Sequence, residues 1–173
     1  MVKNTENIYL IGMPSSGKST LGRGLAVTLD YEYVDMDEIL VTNDGRSISQ
    51  IFQESGEDYF RKIESELLKS FLPNQKKLIS TGGGAPVFFD NMDFILNNGV
   101  SVYLDVPPQI LFSRIYNSNK NDRPLIDKSD SEKLMDNLVE KYNYRYTFYS
   151  RANIIIKDDF SVGHIVRELE SIT

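Results

Sequence analysis

The sequence predicts an α/β fold, an open, doubly wound parallel sheet of five strands flanked by helices, and three observations predict it. Five apolar, β-favouring runs recur along the chain: Ile8-Tyr9-Leu10-Ile11, Tyr33-Val34, Lys77-Leu78-Ile79-Ser80, Val100-Ser101-Val102-Tyr103-Leu104-Asp105 and Ile154-Ile155-Ile156. Between them, apolar residues repeat at helical spacing, so strands and helices alternate. The third observation is Gly12-Met13-Pro14-Ser15-Ser16-Gly17-Lys18-Ser19, which fits G-x-x-x-x-G-K-[ST] between the first run and the first helical pattern.

That stretch is a phosphate-binding loop in the context it requires, strand before and helix after. Leu21, Leu25, Ala26 and Leu29 place the helix start near Gly17. The glycines let successive backbone N–H groups turn inward onto phosphate oxygens, and the helix N-terminus adds partial positive charge. Lys18 is expected to reach the β- and γ-phosphates, and the Ser19 hydroxyl to ligate Mg²⁺. The chain is therefore expected to bind a nucleoside triphosphate.

The second strand ends in Asp35-Met36-Asp37. Ligands of open α/β sheets sit outside the carboxyl ends of strands. If this segment stays extended, both carboxylates face one cleft. One could hold Mg²⁺ and the other take a proton from a substrate hydroxyl. The alternative is that Asp37 simply caps the helix carrying Ile39-Leu40-Val41.

Residues 47–72 are helical with a break at Ser55-Gly56, and Pro73-Asn74 ends them. Arg61 and Glu64 share one side of the second half. They form either an exposed pair worth about 0.2–0.5 kcal/mol or an arginine aimed at an anionic substrate and steadied by the glutamate. After the third strand, Thr81-Gly82-Gly83-Gly84 permits close backbone approach to a ligand, or else a flexible turn. A helix is expected over residues 87–98, capped by Asn98-Gly99, and another opens at Pro107-Pro108. Residues 116–131, with Asn117-Ser118-Asn119-Lys120-Asn121-Asp122-Arg123-Pro124, are too polar to pack. They read as a lid carrying Arg123 as a cationic finger, or as a solvated loop. A tyrosine-rich helix with Arg145, the last strand and a final helix from Phe160 follow; His164 in that last helix is read as structural. Asn119-Lys120-Asn121-Asp122 spells the guanine-reading N-K-x-D of GTP-binding switches, but it follows a helix where such proteins have a buried strand, so that reading is rejected.

Composition narrows the field. With 173 residues, 40% hydrophobic and 25% charged, residues 1–173 are expected to form one soluble globular domain. A net charge of −6 argues against nucleic acid as a partner. The lack of cysteine excludes disulfides and cysteine metal sites. No apolar run approaches a membrane span, and residues 1–7 lack the apolar core of a signal peptide. A cytoplasmic monomer without membrane partners is expected.

Taken together, these residues resemble the shikimate kinase family over nearly the whole chain. Four stretches carry the likeness: residues 12–20; Asp35-Met36-Asp37; Gly45-Arg46 with Ile48, Phe52, Gly56-Glu57, Phe60-Arg61 and Glu64; and Gly82-Gly83-Gly84. Arg123-Pro124-Leu125 is similar to the family's lid signature, and Arg145 with Tyr149 to its second substrate arginine. The resemblance implies a P-loop NTPase fold of the nucleoside-monophosphate-kinase-like type and transfer of the ATP γ-phosphoryl group to the 3-hydroxyl of shikimate. It implies Lys18, Asp37 and Arg123 as catalytic residues. ATP contacts would come from Ser15, Ser16, Gly17, Lys18, Ser19, Thr20, Arg123 and Arg114, the last flanking adenine. Shikimate contacts would come from Asp37, Arg61, Gly83, Gly84 and Arg145 within a binding segment at residues 36–72 and its surroundings, and Mg²⁺ contacts from Ser19 and Asp35. Thr147 replaces a frequent family proline, the lid is asparagine-rich, and Lys157-Asp158-Asp159 lacks an arginine common near adenine. The competing readings are a kinase of the same fold acting on gluconate or a nucleotide, and a nucleotide-binding regulator. Asp37 speaks against the regulator, which needs no base for a second substrate.

Overall fold

Strand β1 (Asn7–Ile11) is buried along its full length because both of its faces are covered. Ile8 and Leu10 point to one side of the sheet, where they meet Leu25 and Ala26 of α1 (Lys18–Leu29) and Ile165 and Leu169 of α7 (Val162–Ser171). Tyr9 and Ile11 point to the other side, into a core shared with Met36, Leu68, Met92, Ile95 and Tyr149. Each such buried side chain contributes roughly 1.5–3 kcal/mol, so the two-sided strand is the natural centre.

The structure is a computed structural model that describes residues 6–117 and 131–172. Among the described residues the sheet has five strands in the order β2-β3-β1-β4-β5. The others are β2 (Glu32–Asp35), β3 (Lys77–Ser80), β4 (Gly99–Leu104) and β5 (Ile154–Ile156), and every pairing is parallel. This is the expected P-loop NTPase architecture. Parallel pairing brings the carboxyl ends of β1, β2 and β3 to one edge of the sheet. No helix among the described residues is long and apolar enough to cross a membrane.

The segment after β2 folds as α2 (Met36–Asp44) and α3 (Ile48–Ser70), which share a small core of Leu40, Ile51 and Phe60. Alpha-3 is broken where the sequence predicts it, at Gly56, whose φ of 81° and ψ of 171° are non-helical. Its N-terminus carries a full capping box between Ser47 and Gln50.

Three expectations need correction. Residues 87–98 are not one helix: a 3₁₀ turn (Ala85–Val87) precedes α4 (Asn91–Asn98). Buried Asn91 holds that turn, donating to the Ala85 carbonyl oxygen at 2.8 Å and accepting from the Ser65 hydroxyl at 2.7 Å. Gly99 is no left-handed cap but the extended first residue of β4, where an added Cβ would collide with the Asn7 carbonyl oxygen. The last helix begins at Val162 rather than Phe160, with the Ser161 hydroxyl accepting from the His164 backbone N–H.

Helices α5 (Pro108–Asn117) and α6 (Ser131–Tyr149) close the second face. Alpha-6 is pinned to the end of β4 by Asp105, whose Oδ1 accepts the Tyr142 hydroxyl at 2.6 Å and the Tyr103 hydroxyl at 2.9 Å. Burial, helped by the Asp105 charge, pushes the Tyr142 hydroxyl up to about 12. The Tyr103 ring lies 5.0 Å from that of Tyr149 on α6. These contacts fix the helix that carries Arg145.

Candidate active site

A cleft of about 1510 Å³ opens over the carboxyl ends of β1, β2 and β3, and α6 forms one wall of it. The phosphate loop forms its floor. Gly17, with φ of 100°, ends the loop in a left-handed conformation, and α1 begins at Lys18. Ser15, Ser16, Gly17, Lys18, Ser19 and Thr20 all line the cleft. The Lys18 side chain is folded back under the loop, where Nζ donates to the carbonyl oxygens of Gly12 and Met13, both at 2.9 Å. Arg114 also reaches the loop. Its Nη1 donates to the carbonyl oxygens of Ser15 and Ser16, each at 3.0 Å.

At the end of β2 the two aspartates take different roles. Asp35, not Asp37, is the N-cap of α2: its Oδ1 accepts the Asp37 backbone N–H at 3.1 Å. Helix geometry therefore replaces the extended alternation expected for residues 35–37, yet both side chains still line the cleft. The other oxygen of Asp35 accepts the Ser19 hydroxyl at 2.8 Å. A hydroxyl and a carboxylate side by side at the helix start are hard oxygen donors that fit a divalent cation such as Mg²⁺. No cluster of three or more His, Cys, Asp or Glu side chains able to hold a metal occurs among the described residues. The remaining ligands of such a cation would be water and phosphate.

The triple glycine is where the acceptor end of the site is built. A Cβ on Gly82 would collide with Glu64 Oε1 and stand 3.1 Å from Asp37 Oδ1. One on Gly83 would meet Pro14 of the phosphate loop at 2.7 Å and Arg145 Nη1 at 3.2 Å. One on Gly84 would stand 2.6 Å from the Arg61 Cζ. Three glycines in a row let three different functional side chains come up against one loop.

Arg61 and Glu64 are not the exposed pair that spacing alone allowed. Their side chains are 10% and 1% exposed, and Arg61 Nη1 donates to Glu64 Oε2 at 2.9 Å. Nε and Nη2 of Arg61 both donate to Glu57 Oε1. Of the five guanidinium N–H groups, one on each Nη is left over, which suits a second, bidentate carboxylate. The Phe88 ring, 4.4 Å from Cζ, packs on the guanidinium. Burial pushes the Glu64 carboxyl above its usual range; Arg61 opposes the shift and the negative Asp37 adds to it. Arg145 lines the same cleft near Tyr149, whose hydroxyl donates to the Gly83 carbonyl oxygen. Desolvation pushes that hydroxyl up to about 12.

The match to known proteins decides the family. The shikimate kinase family model matches residues 14–172. The chain belongs to the shikimate kinase family. A shikimate kinase of Clostridium botulinum strain 657 is 41% identical over 151 residues, which are 87% of this chain and 86% of that protein. The crystal structure of shikimate kinase from Bacteroides thetaiotaomicron superposes with a TM-score of 0.85 at 31% identity, covering 96% of this chain and 97% of that one. The Acinetobacter baumannii shikimate kinase, solved in complex with shikimate, gives a TM-score of 0.85 at 29% identity, with 97% and 94% covered.

Against this shikimate kinase frame, most residues expected from the sequence converge on the cleft. Gly84 does not line it but backs Arg61. Arg114 lines the cleft and donates through Nη1 to the loop carbonyls of Ser15 and Ser16. Arg123, the rest of residues 118–130 and the rejected N-K-x-D stretch lie outside the described residues. Sequence reasoning missed Tyr33, read only as strand, and gave Glu57 no role; Glu57 precedes Arg61 by one helical turn, which was the available signal.

The Gly84 contact yields a direct test. Gly84→Ala forces the Arg61 guanidinium off the loop, so KM for the acceptor should rise about tenfold while KM for ATP holds. Steady-state kinetics with each substrate varied in turn checks this, and unchanged acceptor KM would show the contact to be incidental.

Proposed function

We propose that this protein transfers the γ-phosphoryl group of ATP to the 3-hydroxyl of shikimate, giving shikimate 3-phosphate and ADP in the route to chorismate and aromatic amino acids. The observation that carries the reading is the glycine loop. It gathers Arg61, Arg145 and Asp37 at the end of the cleft facing the phosphate loop. Two arginines suit the shikimate carboxylate, and a carboxylate beside them suits its hydroxyls.

In this mechanism Asp37 accepts the proton of the 3-hydroxyl as that oxygen bonds to the γ-phosphorus. The bond from the γ-phosphorus to the β,γ-bridging oxygen breaks, and ADP leaves. Lys18 exchanges a loop carbonyl for phosphate oxygens and stabilises their developing charge. Ser19 and Asp35 would hold Mg²⁺, which would supply charge neutralisation to the nucleotide phosphates. Gly83 and Gly84 supply close backbone to the acceptor. Arg123, in the segment that follows α5 in the sequence, completes the charge neutralisation; Tyr116, Asn117 and Ser131, expected within that segment, are helical. The protein acts as one domain, residues 1–173, and as a cytoplasmic monomer without nucleic-acid or membrane partners.

Incubating the protein with Mg-ATP and shikimate, gluconate or nucleoside monophosphates tests the reading. ADP release only with shikimate is expected. Turnover with another acceptor alone would replace the substrate, and no turnover with any would leave a nucleotide-binding regulator. Arg61→Ala and Arg145→Ala should each raise KM for shikimate roughly ten- to a hundredfold through loss of charge-assisted hydrogen bonds. KM for ATP should move little; a rise confined to ATP would remove that arginine from the acceptor site.

A further inference from the structure

The carboxylate of Asp35 has a third hydrogen-bonding partner besides Ser19 and the Asp37 backbone. The Tyr33 hydroxyl lies 3.1 Å from Asp35 Oδ2 and 3.1 Å from Ser80 Oγ. A phenol has one hydrogen, and a carboxylate can only accept, so Tyr33 donates to Asp35. The same hydroxyl lies within hydrogen-bond distance of Ser80, whose own hydrogen goes to the Lys18 carbonyl oxygen at 3.3 Å. The Tyr33 hydroxyl thus links the end of β3 to the carboxylate at the end of β2, beside the phosphate loop.

The fold makes room for this tyrosine. A Cβ on Gly22 would stand 2.6 Å from the Tyr33 ring, so the glycine of α1 is what allows the ring to pack close against the helix. Arg23 Cζ lies 5.0 Å from the ring centroid on the same helix. The ring is thus fixed by α1 while its hydroxyl addresses Asp35. Phenylalanine would fill the same space, so packing alone does not call for the hydroxyl.

We propose that Tyr33 is a positioning residue of the cation end of the site, aiming the Asp35 carboxylate and with it the Ser19 hydroxyl. The proposal rests on the reading of Ser19 and Asp35 as the Mg²⁺ pair. With the Tyr33 hydroxyl behind it, Asp35 Oδ2 is held toward the Ser19 hydroxyl. Loss of the phenol frees the carboxylate to rotate, and a cation then binds a less ordered pair.

The test is ATP binding by calorimetry, in Mg²⁺ and in EDTA, for the unaltered protein and for Tyr33→Phe. The affinity gained from Mg²⁺ should fall about tenfold in Tyr33→Phe, a typical loss for a residue supporting a metal ligand. ATP affinity in EDTA and shikimate affinity should stay as they are. Mn²⁺ binding in the presence of ATP, followed by electron paramagnetic resonance, should weaken by the same factor. Ser80→Ala, which removes the far support, should shift both readouts in the same direction by less. A Tyr33→Phe protein that keeps the full Mg²⁺ gain overturns the proposal. If the unaltered protein gains nothing from Mg²⁺, the assignment of Ser19 and Asp35 falls first and the proposal with it.

Discussion

Lys18→Ala is expected to lower kcat about 10³-fold or more while the protein stays folded, the upper range for losing one preorganised donor at developing charge. Lys18 is 8% exposed, and its ammonium group lies beneath the loop that receives the phosphates. Arg114 approaches from α5 and is occupied with the carbonyl oxygens of Ser15 and Ser16. The alanine variant also frees the Gly12 and Met13 carbonyls, so circular dichroism and a thermal melt must accompany the kinetics. A folded variant with normal kcat would remove Lys18 from the chemistry.

Asp37→Asn should lower kcat by about 10²–10⁴, the usual value of a general base, and leave ATP affinity almost unchanged. Asparagine keeps the shape and the place in the first turn of α2 but cannot take the proton. In the structure the Ser19 hydroxyl donates to Asp35. Asp37 instead faces Gly82 and shares that surface with Glu64. Its charge helps push the Glu64 carboxyl up, so removing it relieves a repulsion and the melting temperature should not fall. Collapse of ATP affinity with kcat per bound complex intact would move Asp37 to the cation site.

Much of this protein was legible in the chain because its signals are local. A strand buried on both faces is a continuous apolar run, and Ile8-Tyr9-Leu10-Ile11 is one. The phosphate loop is eight consecutive residues, and the break in α3 is a glycine whose position in the sequence is its position in the helix. Alternation of strand and helix then dictates a parallel sheet, whose strand ends gather the loops on one side. Those features need no knowledge of what lies across the molecule.

What only the tertiary structure decided concerns partners far apart in the chain. Spacing left Arg61 and Glu64 as a surface pair or a substrate clamp, since burial depends on Gly84 and Phe88 arriving from another element. Which aspartate caps α2 depended on Ser19 and Tyr33 fixing Asp35 from two sides. Residues 85–91 turned before their helix because Ser65 anchors Asn91, twenty-six positions away in sequence. A hydrogen bond or a buried charge is a property of two groups at one place. The sequence names the groups, and only the fold brings them to the place.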